Sequence, residues 1–183
     1  MKREEALNLV KQEVKTKNLI KHMLAVEAVM RRLAEELEQD EDLWALAGLL
    51  HDLDYDKTVD HPEQHGLLGA RILEEKGLPA ELIQAVKAHN EALGLERVTL
   101  LDKALYAADP VTGLLVAAAL IHPQKKLGAV DLDFVINRFR EKSFARGADR
   151  GQIERCSELN LSLDRFLALS LEAMQNIAKD LGL

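Results

Sequence analysis

Apolar residues recur along this chain in steps of three and four, without the sustained alternation of a strand, and that period is helical. Leu19, Met23, Val26, Met30, Leu33 and Leu37 mark one face of a segment running from Leu19 to Glu38, with Asn18 placed to cap it. His22 falls on this apolar face, not among the Lys and Glu residues opposite. Before it, Glu4 to Lys15 predicts a short first helix. After it, the acidic turn Gln39-Asp40-Glu41-Asp42 sets negative charge at a helix start, where it is favourable. The apolar run Leu43 to Leu50 then predicts a buried helix that carries Trp44 and ends at His51-Asp52.

Asp54 to Asp60 reads as a polar loop. Pro62 suits the first turn of a helix from Glu63 to Lys76, which Gly77 closes. His65 lies near its start, and Gly66 and Gly69 permit close approach of a neighbour. Pro79 opens a helix from Ala80 to Asn90, with His89 in its last turn. Thr99 caps Leu100 to Ala108. Pro110 interrupts the pattern just after Asp109, and Val111 to Ile121 continues as a separate, very apolar helix stopped by His122-Pro123. Three further helices are predicted: Leu132 to Ala145, Arg150 to Glu158, and Ser162 to Leu181, the last with Ser162 and Asp164 as candidate caps. The chain is therefore expected to be all-α, a compact helical bundle forming one domain over residues 1–183. Its core is placed at about 19–120, with a C-terminal helical extension over about 130–183.

Composition narrows the function classes. Among 183 residues, 48% are hydrophobic and 30% charged, with four prolines, as suits a soluble helical protein. The net charge of −7 gives no basis for expecting nucleic-acid binding, which shows as a basic stripe. An acidic protein that handles phosphate must find positive charge locally, in metal ions or a few Lys and Arg. The single cysteine, Cys156, excludes an internal disulfide and zinc-finger spacing, and its expected role is packing. The charged start of the chain lacks the apolar core of a signal peptide, and the uncharged run Pro110 to Ile121 is too short to span a bilayer. A cytoplasmic location without membrane contact is the expectation. The apolar segment Leu114 to Ile121 suits either core or interface, so a homo-oligomer stays open.

Six residues fit one site: His22, His51, Asp52, His65, His89 and Asp109. His22 lies on a buried face. His51 and Asp52 close an apolar helix. Asp109 sits within Leu105-Tyr106-Ala107-Ala108-Asp109-Pro110-Val111, where an unpaired carboxylate would cost several kcal/mol in order of magnitude or take up a proton. Each has a plainer reading alone: a core histidine, a water-facing histidine, a helix-end histidine, a helix cap. Four imidazoles and two carboxylates together suit a divalent transition metal, Fe, Mn, Co, Ni or Zn, with Mg as a further option. Six ligands exceed a closed tetrahedral zinc site and suffice for two ions sharing Asp52, so one or two ions are expected.

The order His22, His51-Asp52, Asp109 on successive helices resembles the HD superfamily of metal-dependent phosphohydrolases. His65, in His65-Gly66-Leu67-Leu68-Gly69-Ala70, and His89, in Ala88-His89-Asn90, match the added histidines of members with two metals. Ala107-Ala108-Asp109-Pro110-Val111-Thr112-Gly113 is similar to the family's final Asp segment. The resemblance spans about Leu19 to Leu120. His61, before Pro62, is a second choice to His65. Three departures narrow the substrate. Lys57 lies two residues later than in the commonest two-metal pattern. Asn90-Glu91-Ala92-Leu93-Gly94 replaces the Gly-Tyr-Pro segment of members cleaving cyclic dinucleotides. Tyr55-Asp56 keeps only the Asp of the Glu-Asp pair found in members acting on guanosine tetraphosphate.

The resemblance implies hydrolysis of a small phosphate ester, expected to be a nucleotide, by a metal-activated water. His22, His51, Asp52 and Asp109 would hold one ion, and Asp52, His65 and His89 the other. Asp54 or Asp56 would orient the water or take up a proton, unless both are solvated loop acids. Lys57 would meet a phosphate, unless it is a surface lysine. Arg138, Arg140, Lys142 and Arg146 form a basic cluster, better read as a wet helix face than as a polyanion contact. The alternatives are an HD-type di-iron oxygenase and a non-catalytic metal or nucleotide sensor.

Overall fold

The computed structural model describes all 183 residues, in eleven α-helices and three short 3-10 turns, with no strand. The helices are α1 (Arg3–Glu13), α2 (Lys17–Glu36), α3 (Glu41–Leu50), α4 (Tyr55–Thr58), α5 (Leu67–Glu75), α6 (Ala80–Ala88), α7 (Leu100–Ile121), α8 (Leu132–Arg140), α9 (Arg150–Glu154), α10 (Leu163–Asn176) and α11 (Ala178–Leu181). The all-α expectation holds.

α2 and α7 form the spine. α3 packs along α2, α6 along α7, and α3 also meets α6, so four helices close around one axis. α8, α9 and α10 cover the other side of α7, and α10 also reaches α2. Their buried apolar residues join one continuous cluster from Ala6 to Leu181. The C-terminal helices thus share the core of the bundle.

Local chemistry sets most boundaries. Asp40 caps α3 by accepting from the Asp42 and Leu43 amides, both at 3.0 Å. Thr99 and Asp102 form a reciprocal capping box at the start of α7. Ser162, not Asp164, caps α10. Gly77 takes φ +70 just beyond α5 and returns its amide to the Glu74 carbonyl.

Other boundaries differ from the sequence pattern. α2 starts two residues earlier than expected, after Thr16, because Asp56 from the α4 segment accepts from the Lys15 and Thr16 amides. The stretch expected as a polar loop from Asp54 holds the single turn α4. α5 begins only at Leu67, preceded by hydrogen-bonded turns over residues 61–66. The largest correction concerns α7. Pro110 does not divide it: the helix is continuous for 22 residues. Proline removes one amide from the ladder, and burial against α2 and α6 outweighs that loss. By length and composition alone α7 could cross a membrane, yet 61% of its most apolar window is buried inside the protein, as in a core helix.

Candidate metal centre

Four helices and one turn deliver the six residues to one place. His51 and His89 occupy the same local position, the C-cap of α3 and of α6, with helical backbone angles. Each turns its Nδ1 back to a carbonyl three residues earlier: His51 to Gly48 at 2.8 Å, His89 to Val86 at 2.6 Å. A carbonyl only accepts, so both Nδ1 atoms carry a proton, and in the neutral ring each Nε2 presents a bare lone pair.

The other two imidazoles reach the same state by different partners. His65 Nδ1 donates to Asp54 Oδ1 at 2.8 Å. His22 Nδ1 lies 3.0 Å from Thr112 Oγ1, whose own proton goes to the Asp109 carbonyl at 2.9 Å. Thr112 therefore accepts from His22. In the neutral imidazoles all four Nε2 atoms are lone pairs, and they face one another: His22 to His51 at 3.2 Å, His65 to His89 at 3.0 Å.

The carboxylates add only further acceptors. Asp109 Oδ1 is 3.0 Å from His22 Nε2 and 3.8 Å from His51 Nε2. Asp52 divides its oxygens. Its Oδ2 faces His22 at 3.5 Å and His51 at 3.4 Å, while its Oδ1 faces His65 at 3.3 Å and His89 at 3.6 Å. A cluster of lone pairs and negative charge with no donor inside it is repulsive unless cations fill it.

The donor set fits metal. The ligand atoms of His22, His51 and Asp109, and those of His51, Asp52 and His89, each lie within 4.8 Å of one another. Two nitrogens bound at right angles to one ion, each at about 2.1 Å, would stand about 3.0 Å apart, close to the spacing of both facing pairs. Imidazole with carboxylate is a set that divalent first-row metals accept.

Without metal, protons must supply the charge. Burial alone would push the His51 imidazole down, but the Asp52 carboxylate, with Asp109 and the Gly48 carbonyl behind it, outweighs burial and raises it from 6.5 to about 9. His65 is raised to about 9 in the same contest, burial against its bonds to Asp52 and Asp54. Desolvation would raise Asp52, and the surrounding His51, His65 and His89 hold it well below the ordinary carboxylate range. Asp109 is lowered too, by His22 against its own desolvation.

Small residues give the frame its closeness. A Cβ at Gly48 would stand 2.8 Å from the Val26 carbonyl oxygen, so α3 approaches α2 at backbone contact just before His51. Gly66 takes φ +84 beside the Val86 carbonyl, which a Cβ would meet at 2.9 Å. The Asn90 side chain donates to the Pro62 and His65 carbonyls at 2.6 and 2.9 Å and fixes the turn that carries His65.

The structure leaves two of the expected catalytic residues outside the cluster. Asp56 accepts from the Lys15 and Thr16 amides and the Thr16 hydroxyl, which locks it to the start of α2. Lys57 pairs with Glu13 on α1. Neither lines the cleft. Asp54 is not a solvated loop acid: it is fully buried and accepts from His65 and the Gly66 and Gly69 amides, so it orients a histidine. His61 is exposed beside Glu63. Thr112, Asn90 and Gln152 were not singled out from sequence; only the Asx and Ser/Thr habit of bonding backbone hints at the first two.

The cluster opens into a cleft of about 430 Å³ whose wall also includes Leu19, Tyr55, Asn90, Glu91 and Gln152. No Lys or Arg lines it. A mainly apolar groove of about 500 Å³ between α2, α7 and the chain end lies beyond His22 and shares no other residue with the cleft.

The family model for the HD domain matches residues 19–114. An uncharacterized protein of Methanocaldococcus jannaschii is 32% identical over 178 residues, covering 91% of this chain and 99% of that protein. Ribonuclease Y of Desulfotalea psychrophila is 30% identical over 166 residues, 85% of this chain and 31% of that protein. Ribonuclease Y of Nitratidesulfovibrio vulgaris is 36% identical over 100 residues, 54% of this chain and 18% of that protein. The chain thus spans nearly all of the archaeal relative and under a third of either ribonuclease.

Proposed function

The chain belongs to the HD domain family, and we propose that it is a metal-dependent phosphohydrolase that opens a phosphate ester of a nucleotide with a metal-activated water. One observation carries this reading: Asp52 presents its two oxygens to two separate histidine pairs, the arrangement of a carboxylate shared between two ions. His22, His51 and Asp109 would complete one ion's ligands, and His65 and His89 the other's. Bound there, divalent ions supply a hydroxide near neutral pH and charge for the phosphoryl oxygens.

The chain's own residues do the rest. The Gly48, Val86, Asp54 and Thr112 acceptors keep four Nε2 lone pairs aimed inward, so the site needs no rearrangement to take its ions. Because the cleft wall has no Lys or Arg, an anionic substrate depends on those ions for its attraction. Tyr55, 41% exposed and edge-on to His65 at 5.2 Å, offers a ring face on which a base can stack. Two of the relatives carry a ribonuclease name, which supports a nucleotide phosphoester over other esters.

The test is product release from nucleotides by purified protein loaded with Mn, Co, Ni, Fe or Mg. Turnover with metal, its loss on chelation, and its loss in Asp52→Ala at unchanged helix content are expected. Oxygen uptake by the iron-loaded protein without phosphoester cleavage would replace this reading with an oxygenase.

A further inference from the structure

Arg97 is a cation that forms no ion pair within the protein. Its guanidinium lies over the Tyr106 ring, 3.7 Å from the centroid, and it has no ion pair or side-chain hydrogen bond in the protein. The other stacked arginines are committed elsewhere: Arg138 to Glu141, Arg150 to five backbone carbonyls at the end of α8 and in the connection to α9. Stacking on an aromatic face holds an arginine in place while leaving the edge of its fork free.

Its position gives that free edge a use. The Tyr106 side chain beneath Arg97 lies beside Glu91 and Gln152, and both of these line the cleft. Through Tyr106, Arg97 therefore adjoins the edge of the cleft that Glu91 and Gln152 form. The cleft wall itself carries three carboxylates, Asp52, Asp109 and Glu91, and no cationic side chain of its own apart from the histidines. Ions at the cluster would neutralise Asp52 and Asp109 and serve the reacting phosphoryl group. A second phosphate on the same substrate finds no Lys or Arg in the wall itself, and Arg97, next to Glu91 and Gln152 through Tyr106, is a cation placed at that edge.

We propose that Arg97 is a specificity-determining residue that holds a second, non-reacting phosphate of the substrate at the Glu91–Gln152 edge of the cleft. This rests on the phosphohydrolase reading above for what the first phosphate does. The second phosphate belongs either to a mononucleotide with two phosphate positions or to the next unit of a short strand. A planar fork suits either, because both present the same pair of oxygens.

Calorimetric titration of the Mn-loaded protein tests it with three probes: adenosine 5′-monophosphate, adenosine 3′,5′-bisphosphate, and a 5′-phosphorylated adenine dinucleotide. Wild type is expected to bind one or both two-phosphate probes at least tenfold tighter than the monophosphate, and which one names the source. Arg97→Ala should reduce that preference to within twofold without changing monophosphate affinity or metal content. Arg97→Lys should keep part of it. No preference in wild type, a preference that survives Arg97→Ala, or an equal loss for all probes would each overturn the assignment. If the preference depends on Arg97 but nothing is hydrolysed, the phosphohydrolase reading falls and the anion site stands. If hydrolysis is found and the preference is not, the reverse holds.

Discussion

Asp54 accepts the Nδ1 proton of His65 at 2.8 Å, and this one bond decides which face of that imidazole looks into the cluster. The same carboxylate accepts from the Gly66 amide at 2.9 Å and the Gly69 amide at 2.6 Å, so it holds both the ring and the turn that carries it. Burial would raise Asp54, and these three donors keep it ionised. Asp54→Asn keeps the shape and loses the charge, and its amide can turn a donor toward His65 and favour the wrong tautomer. Metal affinity is expected to fall roughly 10- to 100-fold with helix content unchanged. Metal titration followed by circular dichroism checks both halves, and unchanged affinity would remove the orienting role.

The pH dependence of the metal-free and metal-loaded protein should have opposite signs. His51 and His65 are raised from 6.5 to about 9 when protons occupy the cluster. A histidine raised on folding contributes stability that is complete below its unfolded value and disappears as pH climbs through its folded value. Chelated protein should therefore lose melting temperature between pH 6.5 and about 9. Metal must displace those same protons, so apparent affinity should rise over that window, with up to about two protons released per protein near neutrality. Titration in buffers of different ionisation enthalpy counts them. An affinity independent of pH would contradict the proton-filled cluster.

The helices and the six converging residues were legible because they rest on local signals: apolar spacing, a His-Asp pair at the end of an apolar run, an acid beside a proline in a buried segment. What escaped depends on tertiary contact. Pro110 reads as a break in any local rule, yet α7 runs through it because α2 and α6 bury its surroundings. Asp54, Asp56 and Lys57 look alike as charged residues of one polar stretch. Only the folded chain shows that Asp54 turns inward to His65, whereas Asp56 and Lys57 turn toward α2 and α1. Thr112 holds His22 from another helix, 90 positions away in sequence.

Gly48 should be among the least tolerant positions outside the cluster. Its missing Cβ is what allows α3 to lie on α2, with Val26 and Glu27 backbone atoms at 2.8 to 2.9 Å from where a methyl would be. Backbone cannot swing aside as a flexible side chain can. Gly48→Ala is expected to cost about 1–3 kcal/mol from overpacking, or about 2–4 °C of melting temperature per kcal/mol at this chain length. It should also weaken metal binding, because the Gly48 carbonyl fixes His51. A variant as stable as wild type would show that α3 can slide without loss.

Asp56 and Lys57 separate a structural from a chemical reading of the segment after the His-Asp pair. Asp56 gathers two amides and a hydroxyl at the start of α2, at 2.7 to 3.0 Å, in the manner of a helix cap supplied from a distance. Asp56→Ala should therefore cost about 1 kcal/mol of stability while metal stoichiometry stays at the wild-type value. Lys57 bonds Glu13 at an exposed position, and pairs of that kind contribute little. Lys57→Ala is expected to change stability by less than about 0.5 kcal/mol and to leave phosphoester turnover within twofold of wild type. A large loss of turnover in Lys57→Ala at full metal occupancy would mean that the lysine leaves Glu13 for the substrate, and that the resting arrangement is not the working one.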